Sequence, residues 1–338
     1  MQATSDGVQP QRPGVFGALF GGLNMMRRTL IVGMPVTLCL GLISGLGTWT
    51  VTGLVPTLSA SPPSENVFDG MLLLSGVLGL YTVLQLAKSY GGQNPPGRLS
   101  WIPCLFFLPS LFLLLGLWGV SGAATSLGPQ ANTVALMGFL FAFDLAVWPF
   151  LGAFGVLAWL GAAERMKAEG RTGGLPRAVG ESLGRFHQVA VPHGAALQAV
   201  TVGMQLLVPG IFYALQYAFV DCVAVLDPDR PALKHSGRLT WAIRGYLFRI
   251  LFVWFLVAFG GAFLMTAVID GVDNAATTLL MGPDQNFVSL RGVVVPEIFG
   301  VWCAWWSTMV MWVVYRWRLD QLSWKAARKR DQAAAEQG

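Results

Sequence analysis

The chain has 338 residues, 54% of them hydrophobic and only 12% charged, with a net charge of +5 and a mean hydropathy of +0.58. Soluble domains carry about twice that charged fraction, and 13 Trp with 21 Phe exceed what one soluble core hides without long apolar helices, so the chain reads as an integral membrane protein. The positive charge does not signal nucleic acid: the cations cluster between apolar runs, no DNA- or RNA-binding motif is present, and loops held near anionic lipid headgroups fit better.

A bilayer core about 30 Å thick needs about 20 apolar residues in a helix. Ahead of the first such run, "RPGVFGALFGGLNMMRR" places Phe16, Leu19, Phe20 and Leu23 at helical spacing. Two readings of it are open, a surface helix and a disordered leader. The polar start, with its two prolines, lacks the layout of a cleavable signal peptide. Candidate spans follow at Thr29 to Gly53, Gly70 to Ala87, Trp101 to Val120, Thr133 to Gly161, Val189 to Val208, Gly210 to Leu226, Tyr246 to Ile269 and Val293 to Tyr315. Only Pro209 and Gly210 separate the fifth from the sixth. Proline breaks a helix there, and glycine permits a sharp turn.

Charge decides whether those two are separate legs. With a cytoplasmic N-terminus and eight crossings, all but one of the 22 Lys and Arg residues fall inside, and Arg291 alone lies outside. Glu65, Asp69, Asp270, Asp273 and Asp284 also fall outside. Were Val189 to Leu226 a single crossing, the basic loops flanking it would face opposite compartments, against the positive-inside rule. A hairpin, crossing or re-entrant, is required. The stretch "PALKHSGRLTWAIRGYLFRI" then faces the cytoplasm. Read as a helix, it puts Ala232, Ser236, Leu239, Ile243, Leu247 and Ile250 on one stripe. Lys234 and Arg238 on the opposite side, with Arg244 and Arg249, are expected to meet inner-leaflet headgroups. Asp229 is placed to cap this helix, and Gly245 to bend it into the membrane.

The fold class expected is all-α: a polytopic transmembrane bundle of about eight crossings, with a Pro-Gly hairpin and a cytoplasmic interfacial helix. Residues 1–28 form a cytoplasmic segment, 29–315 the membrane domain, and 316–338 a basic cytoplasmic tail, whose stretch "WKAARKRDQAAAEQG" from Trp324 is expected to be solvated and to fray. The bilayer expected is a bacterial inner membrane, with 17 Arg against five Lys in keeping with a GC-rich bacterium.

The stretch from "LLVPGIFYALQ" to "RILFVW" resembles a bacterial family of multi-pass proteins that includes the membrane domain fused to some glycerophosphodiester phosphodiesterases. The residues that carry the resemblance are Pro209-Gly210, Ala232-Leu233, Ser236, Leu239-Thr240 and Gly245, about the middle third of the chain. It departs at Ala242, where members often carry glycine. The resemblance implies a helical membrane bundle and no established activity. The hydrolase barrel of the fused members has no counterpart here.

Ionisable residues within spans are costly and count as functional candidates. Asp144, five residues before Pro149, is either a functional carboxylate or an interfacial or paired one. Asp221 is read as an ion pair tying the sixth span to Arg238, Arg244 or Arg249, with a functional carboxylate as the other reading. Gln205 and Gln216 complete the intramembrane polar candidates. Glu297, after Pro296, is read as a cap at the start of the last span. His187 and His193, split by Pro192, do not share a helical face, and the four cysteines form no CxxC pair, so neither metal nor cofactor is expected. "GLISG" from Gly41 to Gly45 suggests close helix packing. No HExxH or GxxxxGK[ST] motif occurs. The function expected is non-catalytic: organising lipid, or scaffolding membrane protein partners. The alternative is a transporter of a small or amphipathic solute that uses Asp144 and Asp221.

Overall fold

The computed structural model describes residues 9–90, 97–121, 130–280 and 290–335. Arg291 and the acidic residues Asp270, Asp273 and Asp284 fall outside what is described of side chains. Regular structure among the described residues is entirely helical. It runs α1 (Val15–Arg28), α2 (Leu30–Ala60), α3 (Glu65–Tyr90), 3-10 turns at Arg98–Trp101 and Pro103–Phe106, α4 (Phe107–Val120), α5 (Gln130–Glu169) and α6 (Leu175–Met204). Then come α7 (Val208–Tyr217), α8 (Val220–Leu226), α9 (Ala232–Trp241), α10 (Arg244–Leu280) and α11 (Leu290–Ala335). Seven stretches are long and apolar enough to cross a membrane: α2, α3, Arg98 through α4, α5, α7 with α8, α10 and α11. The chain is an all-α membrane protein, in which helices satisfy the backbone internally.

Eight crossings were expected, and α6 is the difference. Its first half carries Arg177, Glu181, Arg185 and His187. The apolar remainder, Val189 to Met204, falls short of the about 20 residues a crossing needs. Yet α6 must act as a leg, because an odd number of crossings would part the two ends of the bundle's chain. Instead Trp317 Nε1 donates to the Pro10 carbonyl (3.4 Å), and Tyr246 OH donates to that of Pro13 (2.7 Å). The N-terminal segment and the end of the last span share one face.

The basic segments share it too. Arg98 donates to the Pro228 carbonyl, and Arg185 to that of Val225 (2.5 Å). Arg165 pairs with Glu181, and Glu164 with Arg316. These ties link the ends of α8, α6, α5 and α11 one to the next. At the opposite end Ser59 donates to Asn132 (3.1 Å), joining α2 to α5.

Helix α5 is the hub, packed against α2, α4, α6, α8 and α11. The glycines of "GLISG" bring α2 onto α11. A Cβ at Gly41 would lie 2.6 Å from the Ile298 Cα, and one at Gly45 would lie 2.8 Å from the Val294 Cα. Small residues permit such close backbone approach where lipid supplies no hydrophobic drive. Trp159 and Trp305 stack in the core at 6.4 Å. Pro35 and Pro149 lie inside unbroken helices, whereas Pro103 and Pro209 sit at starts of helical segments, where a missing N–H costs nothing.

The hairpin between α6 and α7 is present, but its turn falls earlier than expected. Leu207 takes φ 56° and ψ −65°, and the Val208 N–H donates to the Leu206 carbonyl (2.7 Å). This is a γ-turn of positive φ, a strained geometry for leucine. Gly210 serves another purpose: a Cβ there would lie 2.4 Å from the Met204 backbone nitrogen, so glycine lets the two legs touch. Pro209 is one turn from Phe212, whose ring lies 4.7 Å from the Arg244 guanidinium. The apolar tip therefore stays near the basic stretch.

Helix α1 forms, and it docks. Ala18, Leu19, Gly22 and Met26 are buried against α11, while Phe16 and Phe20 remain 66% and 64% exposed. The fraying expected of the tail from Trp324 is not seen in the described residues: α11 runs on unbroken to Ala335, about 30 Å beyond Tyr315 at 1.5 Å per residue. Asp229 does not cap α9, whose N-cap is Pro231, and the bend into α10 falls at Ala242 and Ile243, before Gly245.

Candidate functional site

Helix α9 and the start of α10 together carry the expected stripe. Ala232, Ser236, Leu239, Ile243, Leu247 and Ile250 are all buried. The Ser236 hydroxyl donates to the Gln216 carbonyl (2.9 Å) and accepts from the Phe219 N–H (3.2 Å), pinning α9 across the α7–α8 break. Gln216 thus holds α9 through its backbone carbonyl. Lys234, Arg238 and Arg249 are exposed, as headgroup contacts must be. Arg244 differs from them. Its guanidinium lies 4.1 Å from the Trp241 ring and 4.7 Å from the Phe212 ring, a cation held between two aromatic faces.

Asp221 does not pair with any of those arginines. It lies on α8, and its Oδ1 accepts a hydrogen bond from His193 Nδ1 of α6 at 2.8 Å. A carboxylate only accepts, so the proton sits on Nδ1. The other ring nitrogen lies over Gly152 of α5, where a Cβ would approach Nε2 to 2.3 Å. The imidazole is therefore wedged between a bare helix backbone and an acid. The acid side chain is 29% exposed and the imidazole 17%. Both face a cavity of about 360 Å³. Its walls are α6, the α7–α8 break, Leu251 and Trp254 of α10, and Ser307, Thr308 and Met311 of α11. Helix α6 does not pack closely on α10 or α11, and the cavity occupies that gap.

Asp144 lies apart from this pair. It sits within α5, beneath the α2–α11 contact, with Glu297 as its charged neighbour. Glu297 is not a helix cap, since α11 begins at Leu290. Its carboxylate accepts from Ser44 (2.8 Å) and Thr48 (3.2 Å) of α2. Gln205 is exposed at the end of α6 and joins neither cluster. Asp144 is not among the residues that line the cavity Asp221 faces. Among the described residues no group of three metal-ligating side chains forms.

The His193–Asp221 pair was not legible locally, since the partners stand on different helices. Adjacent Ser307 and Thr308 in the otherwise apolar "CAWWSTMVMW" were the available signal for the cavity's far wall. Comparison of the chain with protein-family models, with curated proteins and with solved structures finds no match in any of the three.

Proposed function

We propose that the protein is a non-catalytic organiser of lipid in a bacterial inner membrane, with both termini cytoplasmic. Membership of the family resembled in the α7–α10 region is part of this proposal. The observation that carries it is the build of α9: a fully buried stripe on one side, and exposed Lys234 and Arg238 on the other. Exposed Phe16 and Phe20 of α1, at the same end of the bundle, supply apolar anchors beside those cations. Each cation near an anionic surface contributes about 1 kcal/mol. Neutralising Lys234, Arg238 and Arg249 together should then weaken binding of anionic phospholipid at low salt by about a hundredfold. Unchanged lipid retention on purification, measured by mass spectrometry, would remove the reading.

A second reading, transport of a small or amphipathic solute, is favoured by one observation: the His193–Asp221 pair opens on a cavity within the membrane domain. Proteoliposome flux lost in Asp221→Asn and kept in Asp144→Asn supports it. Absence of flux in the wild type ends it.

A further inference from the structure

Among the described residues Asp221 is the one carboxylate facing the α6–α10 cavity, and no lysine or arginine lines it. His193 occupies Oδ1, and Oδ2 has no hydrogen-bond partner among the described residues. An anionic ligand would find no counter-charge there. A neutral apolar ligand would strip water from a carboxylate oxygen and give nothing in return. A ligand that completes the site must bring a positive charge to Asp221 and apolar surface to Ala196, Leu197, Val200 and Leu251. Trp254 and Tyr217 add aromatic surface, which attracts cations within about 6 Å of a ring centroid. Ser307 and Thr308 supply hydroxyls on the far wall. The volume, about 360 Å³, suits a small organic ion and falls in the range of small-molecule sites.

The geometry points to a binding site for a hydrophobic ammonium ion, seated with its charge on Asp221 and its apolar body between α6 and α10. This names a ligand class for the cavity of the second reading. It concerns binding alone and stands whether or not the ion is carried across. The same chemistry is offered by a free amphiphilic amine dissolved in the bilayer and by the ethanolamine headgroup of a phospholipid.

The test is equilibrium dialysis of benzyltrimethylammonium against the full chain in phosphatidylglycerol nanodiscs, whose headgroup carries no ammonium, with empty discs subtracted. It is run at pH 8, above the ordinary imidazole range of about 6.5. The expected result is saturable binding, one ion per chain, weakened at least tenfold by Asp221→Asn. Neopentylbenzene, the uncharged carbon analogue, should not compete. Ala214→Phe fills the cavity from its α7 wall and leaves both residues of the pair in place, and should abolish binding even if Asp221→Asn does not fold. Discs containing phosphatidylethanolamine separate the two sources: competition with the probe assigns the lipid headgroup, and no competition assigns a free amine. Equal binding by wild type and either variant, equal competition by the neutral analogue, or no saturable binding would overturn the proposal. A failure of flux with binding intact would remove only the transport reading.

Discussion

Gly152→Ala is the sharpest probe of the wedged imidazole. A Cβ at this position would lie 2.3 Å from His193 Nε2, inside any allowed contact, so the ring must move. Moving it breaks the 2.8 Å bond to Asp221. Leaving a buried charged group short of a partner costs about 1–3 kcal/mol, and overpacking adds about 1–3 kcal/mol. Replacing helical glycine by alanine returns about 0.5–1 kcal/mol. The net expectation is destabilisation by about 2–4 kcal/mol. In a His193→Ala background the collision is gone, and the same change should stabilise by about 0.5–1 kcal/mol. The sign reversal is what distinguishes this account from a general intolerance of α5. Gly161→Ala on the same helix meets Arg165 at an ordinary 3.5 Å and serves as the control, neutral or slightly stabilising. Reversible unfolding in detergent, followed by tryptophan fluorescence, measures all four proteins. Equal destabilisation by Gly152→Ala in both backgrounds refutes the reasoning.

Three further outcomes follow from the packing. Gly45→Leu drives a side chain into the Val294 backbone, 2.8 Å from its Cβ, and should cost about 3 kcal/mol or more by separating α2 from α11; Gly53→Ala, with open space around it inside α2, should leave the melting temperature unchanged or slightly raised. A cysteine at Leu206 should resist membrane-impermeant maleimide from the outer face, because the turn lies close to Arg244; ready outer labelling would mean a full crossing. His235 is held below its ordinary value by partial burial and by Arg230 and Arg238, with Asp227 opposing. As pH falls, the unfolded chain binds the proton first. Its contribution is therefore complete above about pH 6.5 and is lost as pH drops toward the lower folded value. Proton exchange of α9 amides should speed up on acidification in wild type, and less so in His235→Gln.

How far the sequence reaches depends on the range of the interaction. The stripe along α9 and the start of α10 was readable because its six buried positions recur every three or four residues within a single stretch. The Gly41–Gly45 contact was readable for the same reason, although its partner α11 was not. The hairpin was readable from charge placement, since a cation on the wrong side of a bilayer is costly wherever it lies in the chain. The turn residue was not: Leu207 adopts a backbone that glycine favours, and only the packing of Gly210 on Met204 explains why the neighbouring glycine is needed elsewhere. Asp221 was flagged, but its reachable arginines turned out to be engaged with rings or exposed to the surface. His193 reached it from 28 residues away, a distance no local pattern encodes. The helical tail escaped notice because polarity alone does not distinguish a solvated helix from coil.

The packing of α1 and α2 against α11 also bears on how the protein is made. The ribosome releases the opening helices first, yet the surface they fit belongs to the closing one. At about 5–20 residues per second, the interval between them is tens of seconds. Through that time the bare glycine stripe of α2 must wait in lipid or against an insertase, and a stop codon placed before Leu290 should yield a product that quality-control proteases clear.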